Sequence, residues 1–366
     1  MAAGIKYATS RGTPILPVIF KTNQPMPPAP HQTHLIALDW GTSSLRAYRL
    51  GAHGQTLELR ALPCGIMQLP AAASGDKAAL EADFEAAFEQ ACGDWLRAEP
   101  GAPVIAAGMV GSRQGWLEVP YLEVPIAVDR IGASLSLLRN RHGQPIHLVP
   151  GLIENAMLPN VMRGEETQVV GVLNALNQDT AETDVLIGLP GTHSKWVQIR
   201  RAGKQCQLAH FDTFMTGEVF AALSGHTILG RGMQAGEGKD KDDAGAGQQA
   251  FERGALVARS AAGQAGVLST IFSTRTLGLT GVLDGAGQRE YLSGLLIGHE
   301  IAALQAMLRE QGRQPSQVML VGEAGLCARY TQVLRAYDFG AVEVVAQATE
   351  RGLWQLALTA GLLKHA

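Results

Sequence analysis

The chain has little of several things. Of its 366 residues only 17% are charged and 5% aromatic, and it holds 4 cysteines. The 30 Lys and Arg nearly balance 33 Asp and Glu, for a net charge of −3. There is thus no broad positive field of the kind that nucleic acid or an anionic membrane surface requires. Cys64, Cys92, Cys206 and Cys327 are scattered, without a CxxC pair or a His spacing that would make a zinc site. They are expected as reduced thiols of a cytoplasmic protein. No apolar run approaches the roughly 20 residues that span a bilayer. Ile15 to Phe20 is short, contains Pro17 and runs into Pro25-Met-Pro-Pro-Ala-Pro30, so it reads as a floppy leader and not as a signal core. Residues 1–32 are expected to lie outside the fold. Also missing are a G-x-x-x-x-G-K-[ST] string, which excludes a P-loop, and a G-x-G-x-x-G following a strand.

Glycine, by contrast, is abundant at 43 residues, in a chain that is 46% hydrophobic. That is the profile of a globular α/β protein with many tight turns, and the length suits two domains of roughly 100–200 residues each. Leu35-Ile-Ala-Leu-Asp39 is an apolar strand ending in Trp40-Gly-Thr-Ser, and Leu45-Arg-Ala-Tyr-Arg-Leu50 returns after the turn as a hairpin. Leu80, Phe84, Phe88 and Trp95 recur near helical spacing between Leu80 and Leu96. Val104-Ile-Ala-Ala-Gly108 reads as a buried strand entering a Gly-rich loop, Ile146-His-Leu-Val149 as a short strand, and Glu165 to Ala175 as a helix. Then the pattern repeats: strand Asp184 to Leu189, turn Pro190-Gly-Thr-His-Ser194, returning strand Trp196-Val-Gln-Ile199. The polar, Gly-rich residues 232–249 are expected as an exposed loop. Strands at Val318–Gly322 and Val342–Val345 each precede a helical pattern.

The first hairpin turn carries chemistry. A strand delivers Asp39 to its end, and Gly41, Thr42 and Ser43 follow at once. Backbone N–H groups of such a turn can face phosphate oxygens, glycine permits close approach, and the two hydroxyls add donors. Asp39 can hold Mg²⁺ through water, since that ion keeps several of its waters. An Asp and a Gly in an ordinary turn is the plainer alternative. Gly191, Thr192, His193 and Ser194, followed by Lys195, repeat the construction in the other half of the chain. Two such turns facing one another would clamp the triphosphate of ATP from both sides. Lys195 could neutralise charge developing on a transferred phosphoryl group. Arg46 reads as the partner of a carboxylate, and Gly294 and Gly298, four apart, as a site of close helix packing.

The paired hairpins resemble the two phosphate motifs of the sugar kinase/Hsp70/actin superfamily. Phe211-Asp-Thr-Phe-Met-Thr-Gly-Glu218 is similar to the Thr-Gly loop that touches ATP phosphates in carbohydrate kinases, which implies Thr216 and Gly217 as ATP-binding residues. Leu320-Val-Gly-Glu-Ala-Gly325 resembles the adenosine motif, with Gly322 and Gly325 in place of the usual adjacent pair. Six strings are similar to those of the 2-dehydro-3-deoxygalactonokinases: Leu38-Asp-Trp-Gly-Thr-Ser, Ala107-Gly-Met-Val-Gly-Ser-Arg-Gln-Gly-Trp116, Pro120-Tyr121, Val161-Met-Arg-Gly-Glu-Glu-Thr-Gln168, Pro190-Gly-Thr-His-Ser-Lys-Trp196 and Ser293-Gly-Leu-Leu-Ile-Gly298. They keep the family's order. The resemblance implies an ATP-dependent kinase acting on 2-dehydro-3-deoxy-D-galactonate at O6, in D-galactonate catabolism.

An acid substrate is an anion, so its site needs an Arg or amide donors. Arg113 and Arg163 are the candidates, and Ser112, Trp116, Tyr121 and Asn155 offer further contacts. Phosphoryl transfer needs one carboxylate to orient or deprotonate the attacking hydroxyl. Many kinases of the superfamily carry that Asp at the second phosphate motif, where this chain has Gly191, Thr192 and His193. Glu165 and Glu166 follow Arg163-Gly164 at a helix N-terminus, which favours an ionised carboxylate, and are the first choice. Asp39 is the second and His193 the third.

The expected fold is α/β, with two actin-like (ribonuclease H-like) ATPase domains and an inter-domain cleft. Residues 33–164 would form the acid side and 165–366 the nucleotide side, closing to exclude water. The partners expected are the sugar acid and ATP, without nucleic acid or membrane, and a homodimer is compatible with the sequence. The rivals are a kinase of another sugar or sugar acid, and an actin- or chaperone-like ATPase with no small acceptor.

Overall fold

The computed structural model describes residues 32–176, 183–202, 205–233 and 244–363, so the expected leader lies outside the described residues except for its last position. The first sheet grows from the predicted hairpin: Leu35–Trp40 pairs antiparallel with Leu45–Leu50, which puts Asp39 opposite Arg46. Thr56–Leu62 adds antiparallel beyond it. On the other side Val104–Gly108 pairs parallel with the first strand, Pro145–Leu148 adds in parallel, and Ser136–Arg139 closes the edge. Strands buried on both faces read as continuous apolar runs, and Val104 to Gly108 is buried throughout.

The second sheet repeats this plan. Thr183–Leu189 pairs antiparallel with Ser194–Ala202, and that strand with Gln205–Phe214. Gln317–Leu320 and Val342–Val344 add in parallel on the opposite side. Five strands of each half therefore lie in the same order with the same directions. The doubled strand–turn–strand signal is a doubled ribonuclease H-like unit, as in actin-like ATPases.

The halves are interlocked. Ile126–Ala127 pairs with the edge strand Gln205–Phe214 of the second sheet. Helix Ala348–Thr359, from the end of the chain, crosses helix Glu165–Ala175 at two glycines. A Cβ on Gly171 would lie 1.9 Å from the Ala348 carbonyl oxygen, and one on Gly352 1.9 Å from that of Thr167. The main core runs through this crossing, from Ala37 and Ile105 past Val169, Leu353 and Leu356 to Ile187 and Met319. A small sheet of Leu122–Glu123, Leu152–Glu154 and Asn160–Met162 completes the described strands.

One expectation about the fold needs correcting. Residues 232–249 are not one loop: Gly232 and Met233 end helix Ile228–Met233, helix Ala244–Leu256 has begun by residue 244, and 234–243 lie outside the described residues. The Gly/Ala-rich start of that helix has little apolar period of its own; its Phe251 end is anchored on a neighbour. The neighbour, Gly285–Glu310, is long and apolar enough to cross a membrane by length and composition. Tertiary packing explains its apolarity. It buries Leu292, Leu295, Ile301 and Leu304, and its Gly294 and Gly298 face Phe251 and Ala255 so closely that a Cβ would come within 2.0 and 2.2 Å of their carbonyl oxygens.

Candidate active site

Three backbone ends meet at the floor of the site. A Cβ on Gly108 would lie 2.7 Å from the Trp40 carbonyl oxygen, and one on Gly164 3.3 Å from Gly108 Cα. Both glycines have left-handed backbone, φ +95° and +111°, which other residues rarely adopt. This stack brings the end of the Asp39 strand to the start of the Glu165 helix. Asp39 stays 26% exposed, with Arg46 Nη1 at 3.6 Å. An open pair of that kind is worth about 0–1 kcal/mol, so Arg46 orients the carboxylate more than it stabilises the fold. Burial raises the Asp39 pKa, Arg46 opposes the rise, and Glu165 and Glu350 add to it. Glu350, from helix Ala348–Thr359, had no local signal in the sequence.

Glu165 and Glu166 part ways. Glu165 is half-buried, and one of its oxygens accepts the Arg163 N–H at 3.0 Å. Glu166 is fully buried, folded back on its own helix end, where both oxygens accept the Gly164 N–H at 2.9 and 2.7 Å. Burial first, then the charge of Glu165, push its pKa up to about 8 against those hydrogen bonds and Arg163. At neutral pH it holds its proton, and it does not reach the cleft. Lys195 is buried too: its Nζ donates to the Val161 carbonyl and to Thr213 Oγ1, both at 2.9 Å. Burial lowers its pKa while Glu165 pulls it back up.

The two turns differ in their support. In the first, Gly41 N–H donates to the Ser44 carbonyl, and Ile66 and Met67 donate to the carbonyls of Gly41 and Thr42. The carbonyls are tied back, and Thr42 and Ser43 are exposed. The second turn rests on helix Thr216–His226. A Cβ on Gly217 would lie 2.3 Å from the Gly191 carbonyl oxygen, so only glycine permits this approach. Glu218 N–H donates to the Thr192 carbonyl, and the Glu218 side chain pairs with His193. The first amides of a helix have no intrahelical partner, so turn and helix end form one surface suited to an anion.

That surface opens into a cavity of about 400 Å³, lined by Gly191, Thr192, Thr216 and Gly217, all expected from the sequence, and by Phe220 and Tyr330, which were not. Ser293 and Ile297 of the string Ser293–Gly298 line it as well. Gly322 and Gly325, both exposed, are not among its lining residues; a Cβ on Gly322 would meet the Pro190 carbonyl oxygen at 3.3 Å. Gly325 gives its N–H to Glu323, the cap of helix Ala324–Ala336.

On the acid side, Arg163 is buried with Nη2 donating to the Val119 carbonyl at 2.7 Å and its guanidinium 4.2 Å over the Tyr121 ring. Its Nε and Nη1, and the buried Ser112 Oγ, have no partner. Nη1 would meet a Cβ on Gly111, beside Ser112, at 3.1 Å. Arg113 is exposed on the same loop. Trp116, expected at the substrate, is instead placed in an aromatic cluster, 5.7 Å from Phe84, 5.8 Å from Phe88 and 6.0 Å from Trp40. Such pairs add about 0.5–1.5 kcal/mol each, so Trp116 anchors the loop to the core. Asn155 is engaged with Glu123 at 3.0 Å.

A duplicated ribonuclease H-like unit, with a phosphate-type turn in each half and carboxylates at the floor, defines a phosphotransferase of the actin-like ATPase class. The chain matches the family model described as 2-keto-3-deoxy-galactonokinase over residues 39–356, and it belongs to that family. It is 35% identical over 302 residues to the 2-dehydro-3-deoxygalactonokinase of Escherichia coli K12, covering 82% of this chain and 89% of the relative. A Rhizobium meliloti protein named as a 2-dehydro-3-deoxygalactonokinase is 34% identical over 329 residues, covering 87% and 97%. A crystal structure of a Sinorhizobium meliloti protein described in the same terms superposes with a TM-score of 0.69 at 32% identity, covering 88% of this chain and 98% of that one.

Proposed function

We propose that this chain transfers the γ-phosphoryl group of ATP to O6 of 2-dehydro-3-deoxy-D-galactonate. The observation that carries this reading is the approach of the strand end carrying Asp39 to the helix start carrying Glu165, at the Gly108–Gly164 stack, beside a helix-ended phosphate turn in the other half. The nucleotide occupies the cavity of the second half, its phosphates against Gly191, Thr192 and the amides of Thr216 and Gly217. The first turn, Gly41 to Ser43, closes from the opposite side.

Glu165 is the base. It is the part-exposed member of its pair, and Asp39 and Lys195 are both within its electrostatic reach. Lys195, in electrostatic reach of it, offsets charge on the moving phosphoryl group. Mg²⁺ fits at Asp39, since a part-exposed carboxylate crowded by Glu165 and Glu350 gains from a divalent cation. Among the described residues no group of three or more His, Cys, Asp or Glu could hold a metal, and an ion that keeps most of its waters needs no such group. Bound there, Mg²⁺ would neutralise phosphate charge. The acid's carboxylate is drawn to the loop of Ser112 and Arg113, with the unpartnered donors of Arg163 and Ser112 behind it. Buried guanidinium nitrogens left without an acceptor are costly, and an anion nearby relieves them.

The test is ATP consumption by the purified protein with the acid, with D-galactonate, and with no acceptor. Turnover should rise about a hundredfold or more with the 2-keto-3-deoxy acid, and NMR should place the phosphate on C6. Hydrolysis that no acid accelerates would refute the kinase reading and favour a switch-like ATPase.

A further inference from the structure

Glu300 sits in the middle of helix Gly285–Glu310, 3% exposed. Among the described residues no Lys or Arg forms an ion pair with its carboxylate. Its Oε1 accepts the Trp196 Nε1–H at 2.7 Å and its Oε2 accepts the Tyr330 hydroxyl at 2.7 Å. Ser194 Oγ lies 3.0 Å from the Tyr330 hydroxyl. The hydroxyls of Thr216 and Ser194 also bear on the carboxylate, working against the upward push of burial. A buried carboxylate without a cation is expensive, and a leucine of similar volume would suit a helix core better. Its hydrogen bonds join three elements: helix Gly285–Glu310, strand Ser194–Ala202 and helix Ala324–Ala336. One of its members, Tyr330, lines the 400 Å³ cavity together with Thr216.

We propose that Glu300 is a positioning residue for the nucleotide, holding Tyr330 so that the cavity wall facing the Thr216–Gly217 helix start is set before ATP arrives. The proposal rests on the reading that this cavity takes ATP. Donors fixed in advance cost nothing to reorganise when the ligand binds. The Tyr330 hydroxyl is drawn back into the core by Glu300, which leaves its ring as the wall. Glu300 does not touch the reacting atoms, so its removal should act on nucleotide affinity and not on the acid.

Glu300→Gln and Tyr330→Phe are to be compared with the unaltered protein by calorimetric binding of a non-hydrolysable ATP analogue and by steady-state kinetics. For Glu300→Gln the Kd of the analogue and KM for ATP should rise about tenfold, while KM for the acid and kcat at saturating ATP stay within about threefold. Tyr330→Phe, which keeps the ring and loses one donor, should shift the same two quantities in the same direction by less. A merely structural role would lower Tm without this split. If Glu300→Gln does not fold, Tyr330→Phe decides alone. Folded variants whose KM for ATP stays within twofold, or rises together with KM for the acid, overturn the proposal. Ser293→Trp, which fills the cavity, separates the two claims. If it leaves analogue binding intact, the cavity reading fails. If it abolishes binding while Glu300→Gln and Tyr330→Phe change nothing, only the role of Glu300 falls.

Discussion

Glu165 and Glu166 are neighbours in the chain with opposite surroundings. The role of base proposed for Glu165 makes it sensitive to loss of charge: Glu165→Gln is expected to lower kcat by about 10²–10⁴-fold. Glu166→Gln should leave kcat within about tenfold, and equal mild effects from both would make the pair structural. Glu166 also has a signature in pH. Its ordinary value of 4.5 rises to about 8 in the fold, so folding takes up a proton between those values. Stability conferred on the protonated form is lost as pH climbs through that window. Denaturation of Glu166→Gln at a series of pH values should therefore gain on the unaltered protein from pH 5 to 8. A pH-independent difference would contradict the buried, proton-holding carboxyl.

Strand Gln205–Phe214 meets the small sheet through a three-residue clamp. His210 Nδ1 lies 2.6 Å from Glu154 and Nε2 lies 3.1 Å from Asp212. The hydrogen bond to Asp212 leads, and the one to Glu154 also helps, in raising the imidazole pKa from 6.5 to about 9 against burial. A raised histidine pKa contributes stability that is complete below the unfolded value and disappears as pH passes the folded one. His210→Gln should accordingly cost as much as about 3 kcal/mol near pH 6 and little above pH 9.5, read as the Tm difference across pH. A constant difference would mean that the histidine acts by shape alone. At this scale much was legible. The hairpins and the helix Glu165–Ala175 follow from apolar period and turn residues, which are local signals. Residues 232–249 were not legible, because the helix at Ala244 owes its place to Gly294 and Gly298, a contact far away in sequence.

Across the whole molecule, helices Glu165–Ala175 and Ala348–Thr359 cross between the two sheets at Gly171 and Gly352. A single methyl there forces the helices apart, and overpacking of this kind costs about 1–3 kcal/mol. Gly352→Ala should lower Tm accordingly, and lower kcat too, because the pried helix is the one that carries Glu165. An unchanged Tm would show that the crossing has slack.

The duplication itself was determined by the sequence, since strand, turn and returning strand are written twice in residues that touch one another along the chain. So were Asp39 at a strand end, Gly191 and Thr192 in the second turn, and the Thr216–Gly217 helix start. Only the tertiary structure buried Glu166 while leaving Glu165 part-exposed, packed Trp116 against Phe84, Phe88 and Trp40, and set Glu300 behind Tyr330. Each of those outcomes depends on burial and on distances between elements, and neither quantity is carried by spacing along a chain.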